Sequence, residues 1–234
     1  MEDSLTVLLT VAASIGFLHT VLGPDHYLPF IVMGRAREWS MGRTLAVTGL
    51  CGVGHVAGSI LLGAAGAALG LAVGSLEAVE AVRGEMAAWL LIGFGVAYAA
   101  WGIRQAVRRR PHVHRHLHLD GEVHEHVHDH RDAHAHVHES RNLTPWVLFV
   151  IFVLGPCEPL IPLLIYPALE MGAAEVLLVA GVFGVVTILT MLTTVALASW
   201  GLRFVHLGGL VRWSHAMAGI MIALSGLAIQ FLGL

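Results

Sequence analysis

The stretch His19-Thr-Val-Leu-Gly-Pro-Asp-His26 places a Gly-Pro step and several ionisable side chains inside an apolar part of the chain. Proline has no N–H and clashes with the preceding helical turn, so a helix that crosses this stretch is predicted to be interrupted there. The four residues of Val21–Pro24 recur 132 positions later in Val153–Pro156, where Cys157 and Glu158 follow. The chain is therefore predicted to contain two interrupted helices at corresponding places in its two halves.

The composition is that of a membrane protein. The chain has 234 residues, of which 56% are hydrophobic and 12% charged, and its mean hydropathy is +0.76. Soluble domains carry about 25% charged residues. This balance excludes a soluble globular enzyme, a disordered protein and a nucleic-acid binder, and we expect no catalytic residues. The two cysteines cannot form a disulfide framework.

Gaps between charged residues predict an all-α fold with six transmembrane helices. A membrane-spanning helix needs about 20 mostly apolar residues. The first and fourth uncharged stretches continue past a polar step and are read as the interrupted spans. The uncharged stretches are 4–24, 44–76, 86–103, 142–157, 176–202 and 213–234.

Three spans in each half would place the two halves in opposite orientations in the membrane. Such inverted repeats with interrupted helices at matching positions are a recurring transporter design, with the binding site near the bilayer midplane. The predicted units are a first three-span repeat over 1–103, a loop over 104–145 and a second three-span repeat over 146–234.

The arginines predict the orientation. All 13 basic residues are Arg, and 12 of them fall in the segments 35–43, 104–145 and 200–212. Cytoplasmic loops carry an excess of basic residues. We therefore expect both termini outside and the long loop in the cytoplasm, in a plasma membrane of the bacterial inner-membrane type.

Small residues recur at helix-packing spacing in the second uncharged stretch. The pairs are Gly54-x-x-x-Gly58 and Gly70-x-x-x-Gly74. This spacing lets helices approach closely in lipid. The pairs serve packing either within one chain or between chains, so a homo-oligomer stays open.

The ionisable residues around the two Gly-Pro steps are candidate ligands of a divalent cation. A charge inside the membrane costs at least about 2.5–3.5 kcal/mol on insertion scales. No Arg lies in the central part of a predicted span, so Asp25 and Glu158 lack an obvious cationic partner. A divalent metal ion would neutralise both, and protons would compete for the same groups. The candidate ligands are His19, Asp25, His26, His55, Cys157 and Glu158.

Other interpretations of these residues stay open. Asp25 also fits a structural group that hydrogen-bonds His19 or His26, and His55 also fits a histidine that serves helix packing.

The types of ligand indicate which metal is expected. Imidazole with a thiol favours Ni or Co, with Zn as a further candidate, over the hard cations that prefer oxygen alone. The metal would be cargo, so we expect no permanently bound cofactor. The absence of buried Arg or Lys argues against an anion as substrate.

The central loop carries 11 of the 16 histidines of the chain, mostly as His-x-His, with acidic residues between them. Such a segment has too little apolar surface to form a core and is expected to be disordered. Neutral imidazoles bind late first-row metals and release them as the pH falls through about 6.5. We expect the loop to capture, buffer or sense metal through His112, His114, His116, His118, His124, His126, His128, His130, His134, His136 and His138.

These features resemble the NicO-type nickel/cobalt efflux permeases, which are related to the nickel/cobalt transporters and to UreH-like membrane proteins. His19-Thr-Val-Leu-Gly-Pro-Asp25-His26 is similar to the His-x-Asp-His motif in the first spans of nickel/cobalt transporters. The six predicted spans and the His-rich cytoplasmic loop are similar to the efflux permeases. The resemblance implies efflux of Ni or Co. The His-to-Asp spacing differs from that of the uptake permeases, which usually have eight spans.

Two alternatives come from other functional classes. Gly155-Pro156-Cys157 is similar to the Pro-Cys step of membrane proteins that pass electrons between thiols, although those need two facing cysteines. Here the position that corresponds to Cys157 holds Asp25, and Cys51 lies elsewhere. The other alternative is an accessory protein that delivers metal to an enzyme and transports nothing by itself.

Overall fold

The computed structural model describes residues 2–68, 73–108, 112–117, 123–128, 143–155, 157, 159–205 and 208–232. Eight α-helices make up most of this chain. Short 3₁₀ turns cover Pro24–His26, Leu202–Phe204 and Gly208–Trp213. The α-helices are α1 (Glu2–Leu22), α2 (Leu28–Ala36), α3 (Met41–Ala68), α4 (Val73–Arg108), α5 (Thr144–Leu154), α6 (Leu160–Glu170), α7 (Ala173–Gly201) and α8 (Ser214–Leu232).

Among the described residues, five helical segments are long and apolar enough to cross a membrane, which fits a helical membrane protein. Two further helices, α5 and α6, are apolar but have 11 residues each. Eleven residues extend about 16 Å, roughly half of the hydrocarbon core. The fourth predicted span is therefore not one continuous helix, as its polar step predicts. The five long segments are Asp3–Leu22, Met41–Ala65, Gly74–Arg108, Ala173–Phe204 and Leu210–Leu232.

Both Gly-Pro steps interrupt helices, as the sequence predicts. α1 ends at Leu22 and α5 ends at Leu154, each directly before the glycine. The backbone of Gly23 is extended, with φ −86° and ψ 99°, and that of Gly155 has φ −60° and ψ 138°. A residue before proline is pushed out of the helical region by the proline ring, so the two breaks share one local cause.

The third span is longer than the predicted 86–103. It runs from Gly74 to Arg108 and includes Glu80 and Arg83, which the charge pattern had placed in an outer loop. Glu80 and Arg83, three residues apart on this helix, form an ion pair with 2.6 Å between Nη1 and Oε1. The segment before residue 86 is therefore helical, and the two charges pair on one face of the helix.

The described part of the central loop is a β-hairpin. Strand β1 (His112–Leu117) pairs antiparallel with β2 (Val123–His128), with His112 opposite His128 and Leu117 opposite Val123. The expectation of a disordered segment therefore does not hold for these twelve residues. Alternating His-x-His has the period of two that a strand requires, and the segment also contains β-branched valines.

Helices from the two halves pack against each other. α1 lies along α7, α3 lies along both α5 and α7, and α4 crosses α8. Gly54 and Gly58 face α5, where an added Cβ on Gly58 would lie 3.0 Å from the Val153 oxygen. The predicted close approach through this pair is thus confirmed. Gly70 of the second pair lies outside the described residues.

Among the described glycines, those at the contact between α4 and α8 lie nearest to the backbone of another helix. A Cβ on Gly95 would lie 2.8 Å from the Gly219 oxygen, and a Cβ on Gly219 would lie 2.6 Å from the Gly95 oxygen. Each glycine also faces the backbone of an alanine on the other helix, Ala223 and Ala99 respectively. Two Gly-x-x-x-Ala motifs therefore face each other.

The turn after α2 ends the helix without a glycine. The N–H of Trp39 donates to the Gly34 oxygen at 2.9 Å, and that of Glu38 donates to the Arg35 oxygen at 3.4 Å. This is the Schellman pattern, whose left-handed position usually holds Gly. Here Glu38 occupies it, with φ 53°. The side chain of Glu38 is therefore held in place at some cost in backbone strain.

Gly95→Ala is expected to destabilise the protein, because its methyl group would meet the backbone of α8 and force the helices apart. Overpacking of this kind costs typically 1–3 kcal/mol. Gly93→Ala on the same helix is the matched control, since nothing lies within 4 Å of its added Cβ. Thermal unfolding in detergent should show a lower melting temperature for the first variant alone. Equal melting of both variants would contradict the close crossing.

Candidate metal centre

Three histidines from three structural elements meet in one place. His19 lies in the last turn of α1, His26 in the 3₁₀ turn after the first break, and His55 near the middle of α3. The ring centroids of His19 and His26 are 4.6 Å apart, those of His26 and His55 5.1 Å, and those of His19 and His55 6.3 Å. They line a cavity of about 180 Å³ together with Asp25 and Gly155.

The first break fixes the orientation of His26. Its Nδ1 lies 3.0 Å from Asp25 Oδ1 and 3.2 Å from the Gly23 carbonyl oxygen. Both oxygens accept, so Nδ1 carries the hydrogen and the lone pair is on Nε2. That Nε2 atom is buried and has no hydrogen-bond partner among the described residues. A carboxylate behind a histidine is the usual arrangement around a metal-ligating imidazole.

The second break fixes His55 in the same way. Its Nδ1 lies 3.3 Å from the carbonyl oxygen of Phe152 in the last turn of α5. In a continuous helix this carbonyl would accept from residue 156, but Pro156 has no N–H to give. The carbonyl accepts from the Gly155 N–H at 3.1 Å and also from the imidazole, whose neutral form then has its lone pair on Nε2. Within the described part of the chain, this Nε2 too is buried without a partner.

His19 and Cys157 complete the cluster. His19 Nε2 is a third buried imidazole nitrogen for which the described residues offer no partner. One ligand atom each of His19, His55 and Cys157 lie within 4.8 Å of one another. Cys157 is fully buried, and its backbone N–H donates to Ser59 Oγ at 3.3 Å. Imidazole nitrogens with a thiolate are ligands of late transition metals, zinc above all.

A guanidinium holds the other free carbonyls of the second break. Arg83 donates to the Val153 oxygen at 2.8 Å and reaches the Gly155 oxygen at 3.5 Å, while Glu80 balances its charge. Arg83 thus brings a cation to backbone carbonyls of the second interrupted helix, a contact that the sequence analysis did not predict. The carbonyl end of a helix carries partial negative charge, which explains why a cation is stable at this position.

The site residues predicted from sequence are largely brought together. His19, Asp25, His26 and His55 line one cavity, and Cys157 adjoins His19 and His55. Asp25 contacts His26 directly, which agrees with the alternative that it is a hydrogen-bonded supporting group. Glu158, the one predicted ligand not yet mentioned, lies outside the part of the chain that the structure describes.

The loop histidines divide into two groups. Six lie on the two strands, where the register pairs His112 with His128, His114 with His126 and His116 with His124. The others lie outside the described residues: His118, His130, His134, His136 and His138.

Sequence reasoning missed Ser59, Glu80 and Arg83. Ser59 lies one helical turn after His55, so it is on the same face of α3, which is the signal that was available. In the sequence, Glu80 and Arg83 are residues of opposite charge three positions apart. This spacing is compatible with a helix as well as with a loop.

The two cysteines are not joined by a disulfide and lie in separate packing clusters. Cys51 packs with Met191 and Val195, whereas Cys157 packs with Leu160 and Phe183. They therefore do not face each other as a thiol-redox pair would need.

Comparisons with protein-family models, with curated proteins and with solved structures found no match for this chain.

Replacing His55 with Ala is expected to abolish metal binding at the buried site, because the ligand is lost. Asp25→Asn should weaken binding about 10–100-fold, as loss of a supporting carboxylate typically does. Both are measured by Co²⁺ titration in a protein that lacks residues 112–138, so that loop histidines do not contribute. Cys157→Ser should remove the thiolate-to-cobalt charge-transfer absorption.

His215→Ala is the control for this series, since His215 hydrogen-bonds Tyr98 and does not line the cavity. Loss of all saturable binding on deletion of 112–138 alone would show that the buried site holds no metal.

Proposed function

We propose that this protein transports divalent transition-metal ions across a membrane, with Ni or Co as the first candidates and Zn as the next. One observation carries the proposal. Three histidines whose buried Nε2 atoms have no partner among the described residues line one cavity, and ligand atoms of two of them, His19 and His55, lie within 4.8 Å of each other and of the buried Cys157 thiol. The helices around this cluster are long enough to span a membrane. Buried polar atoms without partners are rare unless a ligand satisfies them.

We propose further that the chain has six spans arranged as two inverted repeats, with α5 and α6 together forming the fourth span. The packing of the helices supports this. α1 packs on α7 as α5 packs on α3, and α2 packs on α8 as α6 packs on α4. Exchange of the two halves leaves this pattern unchanged, as a two-fold axis in the membrane plane would require.

In this arrangement both termini lie outside and the histidine-rich loop lies in the cytoplasm of a bacterial cell. The support is the bias of the arginines, of which 12 of 13 lie at one end of the predicted spans. This arginine-rich end consists of 35–43, 104–145 and 200–212. Loop histidines there would collect metal from the cell interior, which favours efflux. They would equally buffer metal that enters.

The metal cavity lies on the side of the α4–α8 crossing that is nearer to the termini. It is lined by Gly84, Ala87, Ala88 and Leu91, which precede Gly95 on α4, and by Ile229, which follows Gly219 on α8. The close packing of α4 against α8 therefore lies between the metal cavity and the arginine-rich end. Alternation of access would have to open that end.

A hydrogen-bonded network joins the two halves at the arginine-rich end. Arg37 donates from Nε to Tyr98 Oη at 3.0 Å and from Nη2 to Thr144 Oγ1 at 2.8 Å. Tyr98 Oη also hydrogen-bonds His215 Nδ1 at 2.8 Å. Arg37 and Tyr98 belong to the first half, and Thr144 and His215 to the second. This Arg37 network is the contact that opening would break.

The proposal includes two further points: that the protein is a permease of the NicO type, as the resemblance implies, and that metal transport is coupled to protons. A metal-delivery accessory protein would have the same ligands but no flux. An electron-transfer protein would depend on both thiols. Proton competition for imidazole and thiolate ligands is the physical basis for exchange of metal against protons.

Proteoliposomes that contain the protein should take up or release Ni²⁺ or Co²⁺ faster than protein-free vesicles. They should also transport Zn²⁺ if the Cys157 thiol binds the ion. Mn²⁺ flux should be near background, because Mn²⁺ prefers oxygen ligands. Flux measured at two proton gradients gives the direction and the coupling. Absence of flux with intact buried binding would favour the accessory function. Loss of function in a Cys51→Ser, Cys157→Ser double variant with intact binding would favour electron transfer.

Tyr98→Phe should raise the rate of metal flux about threefold or more and leave metal affinity unchanged. The change removes the Tyr98–His215 hydrogen bond, which joins the halves, and the Arg37–Tyr98 hydrogen bond within the first half, each worth about 0.5–1.5 kcal/mol, and keeps the aromatic ring. Tyr166→Phe is the matched control, since Tyr166 is 49% exposed on α6. Flux and Co²⁺ titration are measured on the same preparations. Unchanged flux, or an equal change in both variants, would contradict a role of the Arg37 network in opening.

A further inference from the structure

A second cavity of about 350 Å³ lies at the arginine-rich end, away from the metal centre. It is enclosed by the turn between α2 and α3 on one side and by the segment that joins α7 to α8 on the other. None of the metal-site residues lines it. The side chains that matter here are those of Arg35, Glu38, Trp39, Ser199, Arg203 and Ser214.

The walls of this cavity offer mainly hydrogen-bond donors. Arg35 and Arg203 are donors that carry positive charge. Trp39 adds an indole N–H, which is buried and has no partner in the part of the chain that the structure describes. Arg43 lies over the Trp39 ring, with 5.3 Å between Cζ and the ring centroid, and adds positive charge nearby. A donor without a partner beside several guanidinium groups fits an anion.

One acidic group opposes this positive field. Glu38 lines the cavity and is held in its left-handed conformation by the two backbone hydrogen bonds that end α2. A non-glycine residue in such a conformation is often found at functional sites. Its carboxylate lowers the affinity of the cavity for an anion, so its removal should raise that affinity.

The depth of the cavity indicates which anion it would hold. α2 ends at Ala36 and α3 begins at Met41, while α7 ends at Gly201 and α8 begins at Ser214. Ends of membrane-spanning helices lie at the level of the lipid headgroups, where Trp is enriched. Basic pockets between spans at this level bind phosphate-bearing headgroups.

We propose that this cavity binds the phosphate of an anionic phospholipid from the leaflet at the arginine-rich end. The phosphate accepts from Trp39 Nε1 and from the guanidinium groups of Arg35 and Arg203. The proposal does not depend on metal transport. It does depend on the helices lying in a membrane, for which their length and hydropathy are the support.

The test is native mass spectrometry of the detergent-purified full chain titrated with phosphatidylglycerol, with phosphatidylcholine as the neutral lipid. The unmodified protein should retain phosphatidylglycerol at least tenfold more tightly. Arg203→Gln should weaken this about tenfold, and Glu38→Gln should strengthen it severalfold. Arg212→Gln is the matched control, because it removes the same charge from the same linker at an exposed position that does not line the cavity.

A free phosphate ion is the other source of the same chemistry. Inorganic phosphate at millimolar concentration should not displace the bound phosphatidylglycerol. If it does so in the unmodified protein but not in Arg203→Gln, the cavity is a site for a soluble anion and the lipid proposal fails. The proposal fails also if Arg203→Gln and Arg212→Gln retain the lipid equally, since the effect would then be one of net charge alone.

Discussion

A proline within an apolar segment leaves a backbone carbonyl without its helical donor, and in a membrane no water is at hand to replace that donor. The candidate site is organised around this constraint. Pro156 cannot donate to the Phe152 carbonyl, and the imidazole of His55 lies 3.3 Å from that oxygen. Arg83 binds the Val153 carbonyl one residue further along. His55 and Arg83, from two different helices, thus bind carbonyls at this break. The Phe152 carbonyl has no donor at Pro156, and the helical donor of the Val153 carbonyl, the N–H of Cys157, donates to Ser59 Oγ instead.

The orientation of the ligands follows from these bonds. A histidine that donates through Nδ1 to an oxygen presents its Nε2 lone pair on the opposite side of the ring. Gly23 and Asp25 impose this on His26, and Phe152 imposes it on His55. The two nitrogens are held before any ion arrives, so little rearrangement is needed for binding. The structure therefore explains why the breaks and the histidines occur together in the sequence.

The sequence was sufficient for the features that depend on local chemistry. The positions of both helix breaks, and the convergence of His19, His26 and His55, follow from the Gly-Pro steps and from the repeat that relates them. The role of Arg83 could not be obtained in this way. Its partners Val153 and Gly155 lie about 70 residues further along the chain. A single sequence does not reveal which helix packs on which, and charge density alone made 77–85 look like a loop.

The central loop shows a different limit of prediction from the sequence. Low apolar content predicted disorder, whereas the alternation of histidine with other residues also fits a strand, and the described residues pair as strands. Composition and periodicity pointed in opposite directions, and periodicity decided the local structure. Strand pairing here needs no hydrophobic core, since the hairpin satisfies its own backbone groups across the ladder.

The distribution of the candidate ligands between the halves has a consequence for the proposed transport. His19, His26 and His55 belong to the first half, whereas Cys157 follows α5 in the second. An ion bound by both sets would hold the halves together at the centre, as the Arg37 network does at the arginine-rich end. Relative movement of the halves would separate the thiol from the three imidazoles and reduce the number of ligands. Affinity would then fall during the same movement that changes access, so release would not require a separate step.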